Sequence, residues 1–216
     1  LEGAGRKTAL EAVTAGAHAT VLQHGQWKAA VRAYLACVTF VDAQVGRILE
    51  ALEKGPHAGN TLVVLWSDHG WHLGEKQHWG KWTGWERSTR VPLLIAPPAK
   101  HPDAKKWAGQ RCSSPVSLVD LYPTLVELAG LPKRAGLEGR SLKPLLENPR
   151  SGADRAVVTT FGKGRHSVRS GSWRLIRYED GSSELYNLTR DPNEWTNLAG
   201  KSKHAEIEAD LVSRLP

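Results

Sequence analysis

The sequence predicts an α/β fold: a layer of sheet and helix over residues 1–150, followed over 151–216 by a small antiparallel sheet with a closing helix. Three observations carry this. One long segment repeats apolar residues at helical spacing. Two short apolar runs, TLVVLWS and VPLLIA, stand between turn signals and read as strands buried on both faces, the parallel type. The last third changes to short β-branched and aromatic stretches at close spacing.

Taken in order, residues 1–25 are rich in Ala, Gly, Thr and His with weak periodicity, and are expected to be irregular. From Trp27 the apolar positions Val31, Tyr34, Leu35, Val38, Val45, Ile48, Leu49 and Leu52 recur at steps of three, four and seven. This predicts an amphipathic helix ending near Lys54, where Gly55-Pro56 stops it. Cys37, in LACVTF, is expected in the core, and Cys112 is far from it in sequence. Two cysteines make neither a disulfide framework nor a zinc cluster. Asn60–Ser67 and Val91–Ala96 are the two strands, and Pro97-Pro98 stops the second. Asp120 is expected to cap a short helix, LYPTLVELAG, and residues 131–154 read as a long connection. Four strands follow near 156–161, 167–169, 173–178 and 184–188, with Glu179-Asp180-Gly181-Ser182 as a hairpin turn. A polar helix near 202–214 closes the chain.

The net charge of +7 and a pI of about 9.5 favour an anionic partner, but the basic residues are dispersed and form no run. No nucleic-acid partner is expected. No apolar stretch is long enough for a membrane span, so no membrane partner is expected either. The oligomeric state is not readable. The chain has no Met, which suggests a piece of a longer protein.

The chemistry concentrates at the end of the first strand. In WSDHGWHLGE, Asp68 and His69 stand at a strand's carboxyl end, where open sheets gather ligands. A carboxylate beside an imidazole is a plausible divalent-metal pair. The alternative is a turn-capping Asp next to a hydrogen-bonded His. His72, Glu75, His78, Lys81, Glu86 and Arg87 follow within one loop, interleaved with Trp71, Trp79, Trp82 and Trp85, which are expected to wall a pocket. His69-x-x-His72 is weak as a zinc signal, because no third ligand is apparent.

The string SDHGWHLGEKQHWGKWTGWERSTRVPL, with SLVDLYPTLVELAGLP and LYNLTRDPNEWTNLA downstream, resembles the carboxyl-terminal half of a type I, formylglycine-dependent sulfatase of the iduronate-2-sulfatase-like branch. The resemblance covers about residues 27–200. It implies part of an alkaline-phosphatase-like core and a sulfuric ester hydrolase acting on a sulfated carbohydrate or related ester. It also implies a calcium ion held by Asp68 and His69, and Lys81 on the sulfate. Trp71, His72 and, from the small domain, His166 would line the substrate pocket. A periplasmic, extracellular or lysosomal location is what the family implies.

The family makes its formylglycine nucleophile from a C/S-x-P-x-R motif. Cys112-Ser113-Ser114-Pro115 has Pro one place late, and Ser113 to Ser117 has Ser where Arg belongs. The family's early Asp pair is absent too, and His18, His24 and His57 do not fit its His-containing stretch. The expectation is therefore a chain inactive alone. Two alternatives stand beside it: a noncatalytic module that binds anionic glycans, and a phosphodiesterase or phosphonate hydrolase of the same superfamily.

Overall fold

The computed structural model describes residues 2–11, 15–152 and 154–216. In chain order the helices and strands are α1 (Gly3–Glu11), α2 (Ala15–Gln23), α3 (Trp27–Lys54), β1 (Val63–Trp66), β2 (His72–Leu73), β3 (Trp79–Gly80), α4 (Glu86–Thr89), β4 (Leu93–Ala96), α5 (Ala104–Trp107), α6 (Leu121–Leu128), α7 (Lys143–Glu147), β5 (Ala156–Gly162), β6 (Arg165–Ser170), β7 (Trp173–Arg177), β8 (Ser183–Asn187) and α8 (Ala205–Ser213). They form two compact units. Residues 1–81 with 90–108 make the first, and residues 82–89 with 109–216 the second.

In the first unit the long helix has the predicted bounds, because its apolar stripe is regular and Gly55-Pro56 ends it. The amino-terminal segment departs from expectation: Gly3–Glu11 and Ala15–Gln23 are helical, not irregular, and residues 1 and 12–14 lie outside the described residues. Alanine favours helix without supplying amphipathic contrast, so periodicity is a poor guide there. Burial comes from distant partners. Ala9 and His18 are buried, and the Trp79 indole N–H donates to His18 Nδ1 at 3.2 Å.

The two apolar strands also differ from expectation. β1 and β4 pair antiparallel, with Val63 opposite Ala96 and Trp66 opposite Leu93. They are not buried on both faces, since Leu65, Trp66 and Leu94 are exposed. An apolar run shows that a strand seeks burial, but not what buries it. Cys37 is likewise exposed rather than in the core, because α3 contains no buried residue.

The second unit is built on a four-stranded antiparallel meander, β5-β6-β7-β8. Alternation sends Val168, Leu175 and Leu185 to one face, where they pack with Leu211 of α8. The opposite face carries Ser167, Arg174, Ile176, Glu184 and Tyr186, in matching register. Residues 82–89 lie against this face. Trp85 is fully buried, and its N–H donates to Glu184 Oε2 at 2.6 Å. Gly84 allows the approach: a Cβ there would sit 2.8 Å from the Phe161 ring and 3.0 Å from Ile176.

Asp120 does not cap α6 as expected: its side chain makes no cap bond there. It accepts from the backbone N–H of Ser117 and Arg140, both at 2.8 Å, and pairs with Arg155. It thereby ties the start of α6 to the 131–154 connection, which itself contains α7 with Pro144 in its first turn.

Glu184 also accepts from the hydroxyls of Tyr178 at 3.2 Å and Tyr186 at 2.7 Å. Burial first, then the Glu184 charge, pushes both phenols far above the ordinary value of 10.0. The unfolded chain would release these protons near that ordinary value while the folded chain keeps them. Stability from the pair is therefore complete below pH 10 and falls as pH rises beyond it. Spectrophotometric titration of tyrosinate should show both phenols ionising only with unfolding. Two normally titrating, still-folded hydroxyls at these positions would contradict this.

Candidate functional site

β1 delivers the chain to Ser67, and the next two residues hold the polar pair. The Ser67 hydroxyl donates to the His69 carbonyl at 2.8 Å, which closes the turn. His69 Nδ1 lies 2.9 Å from the Gly70 carbonyl. A carbonyl only accepts, so Nδ1 carries a proton. Nε2 stands 3.4 Å from Asp68 Oδ2, and the Asp68 side chain is 80% exposed. The carboxylate and the imidazole thus stand side by side at an open surface. A ring nitrogen held by a carbonyl is also what a metal-ligating His needs on its far side.

The pair fits part of a cation shell. Calcium takes six to eight oxygen ligands as a rule, and among the described residues no group of three or more His, Cys, Asp and Glu is placed to hold a metal. The described residues thus offer Asp68 and His69 without a third such ligand beside them.

The following loop is held from within. Trp71 is partly exposed, with its ring 6.1 Å from that of His69. His72 is fully buried, its ring edge-on to His78 at 5.1 Å. Its backbone pairs with Gly80 across β2 and β3. The Leu73 amide donates to Glu75 at 2.6 Å, and its carbonyl accepts from the Trp27 indole at 2.8 Å. Gly74, at φ +103°, lies under that indole, where a Cβ would come within 2.5 Å.

Lys81 is half-buried. Its carbonyl lies 2.8 Å from His78 Nε2, and the Ala9 carbonyl lies 2.9 Å from His78 Nδ1. His78 therefore clamps the Lys81 backbone to α1. Sequence reading placed His78 in the loop without this role. One partner lies 69 residues away, and a spacing rule has no access to that distance.

Asp68, His69, Trp71, His72 and Lys81 belong to the first unit; His166 belongs to the second. His166 is half-buried on β6, 2.9 Å from the Thr160 hydroxyl and opposite Arg177. The four tryptophans of the loop do not all wall a pocket. Trp79 and Trp85 are core residues, whereas Trp71 and Trp82 are exposed. Tryptophan's large area makes both outcomes available, and neighbours at a distance in sequence decide between them.

Comparison with known proteins gives two family matches. Residues 5–131 match the family described as Sulfatase. Residues 74–216 match N-sulphoglucosamine sulphohydrolase, C-terminal. A protein named "Sulfatase" from Formosa agariphila is 44% identical over 196 residues, which are 90% of this chain and 37% of that one. An N-acetylglucosamine-6-O-sulfatase from Bacteroides thetaiotaomicron is 33% identical, over 86% of this chain and 35% of its own. A protein solved in complex with its substrate D-glucosamine-2-N,6-O-disulfate has a TM-score of 0.71 at 30% identity, over 83% of this chain and 38% of that one. The chain spans little more than a third of the length of these relatives.

Proposed function

Since the chain belongs to the sulfatase family, we propose that it is the sulfate-binding, carboxyl-terminal part of a sulfuric ester hydrolase acting on a sulfated carbohydrate. The observation that carries this reading is the His69 imidazole beside the Asp68 carboxylate, Nε2 to Oδ2 3.4 Å, in one unit with Lys81. Asp68 and His69 would hold calcium, which when bound polarises the sulfuryl oxygens. Lys81 places a fixed positive charge on the sulfate, whose oxygens gain negative charge as the ester bond breaks. His78 keeps the Lys81 backbone in place. Trp71 walls the substrate cleft, with the buried His72 in the same loop. The C/S-x-P-x-R motif does not occur in this sequence, so the formylglycine nucleophile comes from the part of the fold that the chain does not cover. The chain alone is then inactive. The working enzyme would act in the periplasm, outside the cell or in the lysosome, and the resemblance to sulfatases supports this reading.

The test is a chimera in which this chain replaces the matched region of the Formosa agariphila relative. We expect sulfate release from a sulfated glucosamine, and a fall in kcat of about 100- to 1,000-fold in the Lys81→Ala chimera. A folded chimera that binds the sugar without releasing sulfate would favour a glycan-binding module instead. One that hydrolyses a phosphonate ester in preference would favour the related phosphonate chemistry.

Calcium provides a separate check. Two donors are a small share of a calcium shell. The melting temperature of the isolated chain should therefore be the same in calcium and in chelator, whereas the chimera should melt higher in calcium. A clear rise for the isolated chain would mean that it holds a fuller site than Asp68 and His69 provide.

A further inference from the structure

We infer that the row Thr160, His166, Arg177 and Ser183, across the meander of the second unit, binds a sulfate group on a sugar. The choice of sulfate as the anion rests on the family reading above. The site itself rests on the sheet, and it uses none of the residues given there to the metal and the ester.

Strand pairing builds the row. Thr160 of β5 stands opposite His166 of β6, His166 opposite Arg177 of β7, and Arg177 opposite Ser183 of β8. Directly paired residues put their side chains on the same face. That face carries Val158, Val168, Leu175 and Leu185 two residues away along each strand. α8 covers those apolar residues through Leu211. The polar row lies nearer the hairpin turns, with Thr160 exposed and the other three half-buried.

Hydroxyls hold the two nitrogenous side chains in place. His166 Nδ1 lies 2.9 Å from the Thr160 hydroxyl. Arg177 Nη1 donates to the Ser183 hydroxyl at 2.9 Å. A hydroxyl carries no charge, so the guanidinium is positioned without being neutralised. Gly181 keeps the space beside Arg177 Nη2 open: a Cβ there would lie 3.7 Å from it.

The opposite face of the sheet provides the contrast. Arg169 and Arg174 also stand opposite each other. There the chain supplies its own anions, Glu86 to both and Glu194 to Arg174. At Arg177 it supplies a hydroxyl instead. Among the described residues, no carboxylate pairs with Arg177 or His166. The acids of the β7-β8 turn are placed otherwise: Asp180 accepts from the Ser182 amide and hydroxyl, and Glu179 lies against Gly164. Lys163, in the β5-β6 turn at the same end, adds positive charge, as does an imidazole when protonated.

The ligand follows from the donors. A guanidinium offers a planar fork to an oxyanion, with charge and geometry matched. Neighbouring strands stand about 4.8 Å apart. A sulfate group has three free oxygens, enough to meet the fork and the imidazole of the next strand together.

The experiment is heteronuclear NMR on the whole 216-residue chain, titrated with inorganic sulfate, a sulfated glucosamine and unsulfated glucosamine. The two sulfated probes should shift resonances at Thr160, His166, Arg177 and Ser183, and the unsulfated sugar should not. Arg177→Gln keeps a donor for Ser183 and should weaken binding by about tenfold. His166→Gln, on the neighbouring strand, should weaken it by a smaller factor. Unchanged resonances of Val168, Leu175 and Leu185 report that the sheet is intact in both variants. Lys81→Ala should leave the shifts of the row as they are in the parent chain. Absence of shifts at the row would overturn the inference. So would shifts that both variants leave unaltered, equal shifts from the unsulfated sugar, or shifts lost in Lys81→Ala. A row that binds sulfate, in a chain whose chimera releases none, keeps this site and counts against the catalytic reading alone. A silent row beside an active, Lys81-dependent chimera does the reverse.

Discussion

Replacing Trp85 with alanine is expected to destabilise the second unit by about 3–5 kcal/mol, the usual range for truncating a buried Trp. The indole is fully buried, and the gap it leaves is lined by residues held by the sheet's own hydrogen bonds. Collapse around it is therefore restricted. Truncation also removes the donor 2.6 Å from Glu184 Oε2, leaving that buried carboxylate with the two tyrosine hydroxyls. Trp85→Phe keeps most of the volume and loses the N–H, and should cost about 1–3 kcal/mol. Denaturant unfolding, followed by circular dichroism, separates the two. Equal and small losses for both would mean that the segment 82–89 is not part of this unit's core.

The second large effect is expected at Arg174. Its side chain is 3% exposed. It pairs with Glu86 and with Glu194, the latter at 3.1 Å. It also donates to the Gly84 carbonyl at 2.9 Å and the Ser167 hydroxyl at 2.7 Å. Arg169 approaches Glu86 at 3.8 Å, so two guanidinium groups balance two carboxylates. Glu194 also accepts from the Glu86 amide at 2.9 Å, which anchors the first turn of α4. Arg174→Met fills similar space but takes a guanidinium away from two buried carboxylates, at an expected cost of about 3–5 kcal/mol. Adding Glu194→Gln should recover part of that loss, because one of the two charges that lost this partner is removed. Full additivity of the two losses would show that the residues do not act as one network. The segment so anchored begins at Trp82, immediately after Lys81.

Contrast in the local pattern governs how much of the fold is legible. α3 and the four strands of the meander were readable because apolar and polar residues alternate there with a clear period. α1 and α2 were not, because alanine and glycine carry too little contrast to show a face. The loop chemistry divides in the same way. Asp68, His69 and Lys81 stood out as a string of residue types at close spacing. The clamp by His78 and the burial of Trp85 depended on partners 69 and 99 residues away.

The amino-acid sequence by itself determined the family, the long helix, the meander and the polar residues offered at the end of β1. Each is a property of neighbours in the chain, set by side-chain periodicity, turn chemistry and residue type. Tertiary structure alone decided that β1 and β4 run antiparallel, that Asp120 and Glu184 gather several donors, and that Cys37 lies in the open. It also decided which tryptophans of one loop are core and which are surface. Those outcomes are settled by what covers a residue and by whether a buried polar group finds its partner. Both conditions join segments that the chain order keeps far apart.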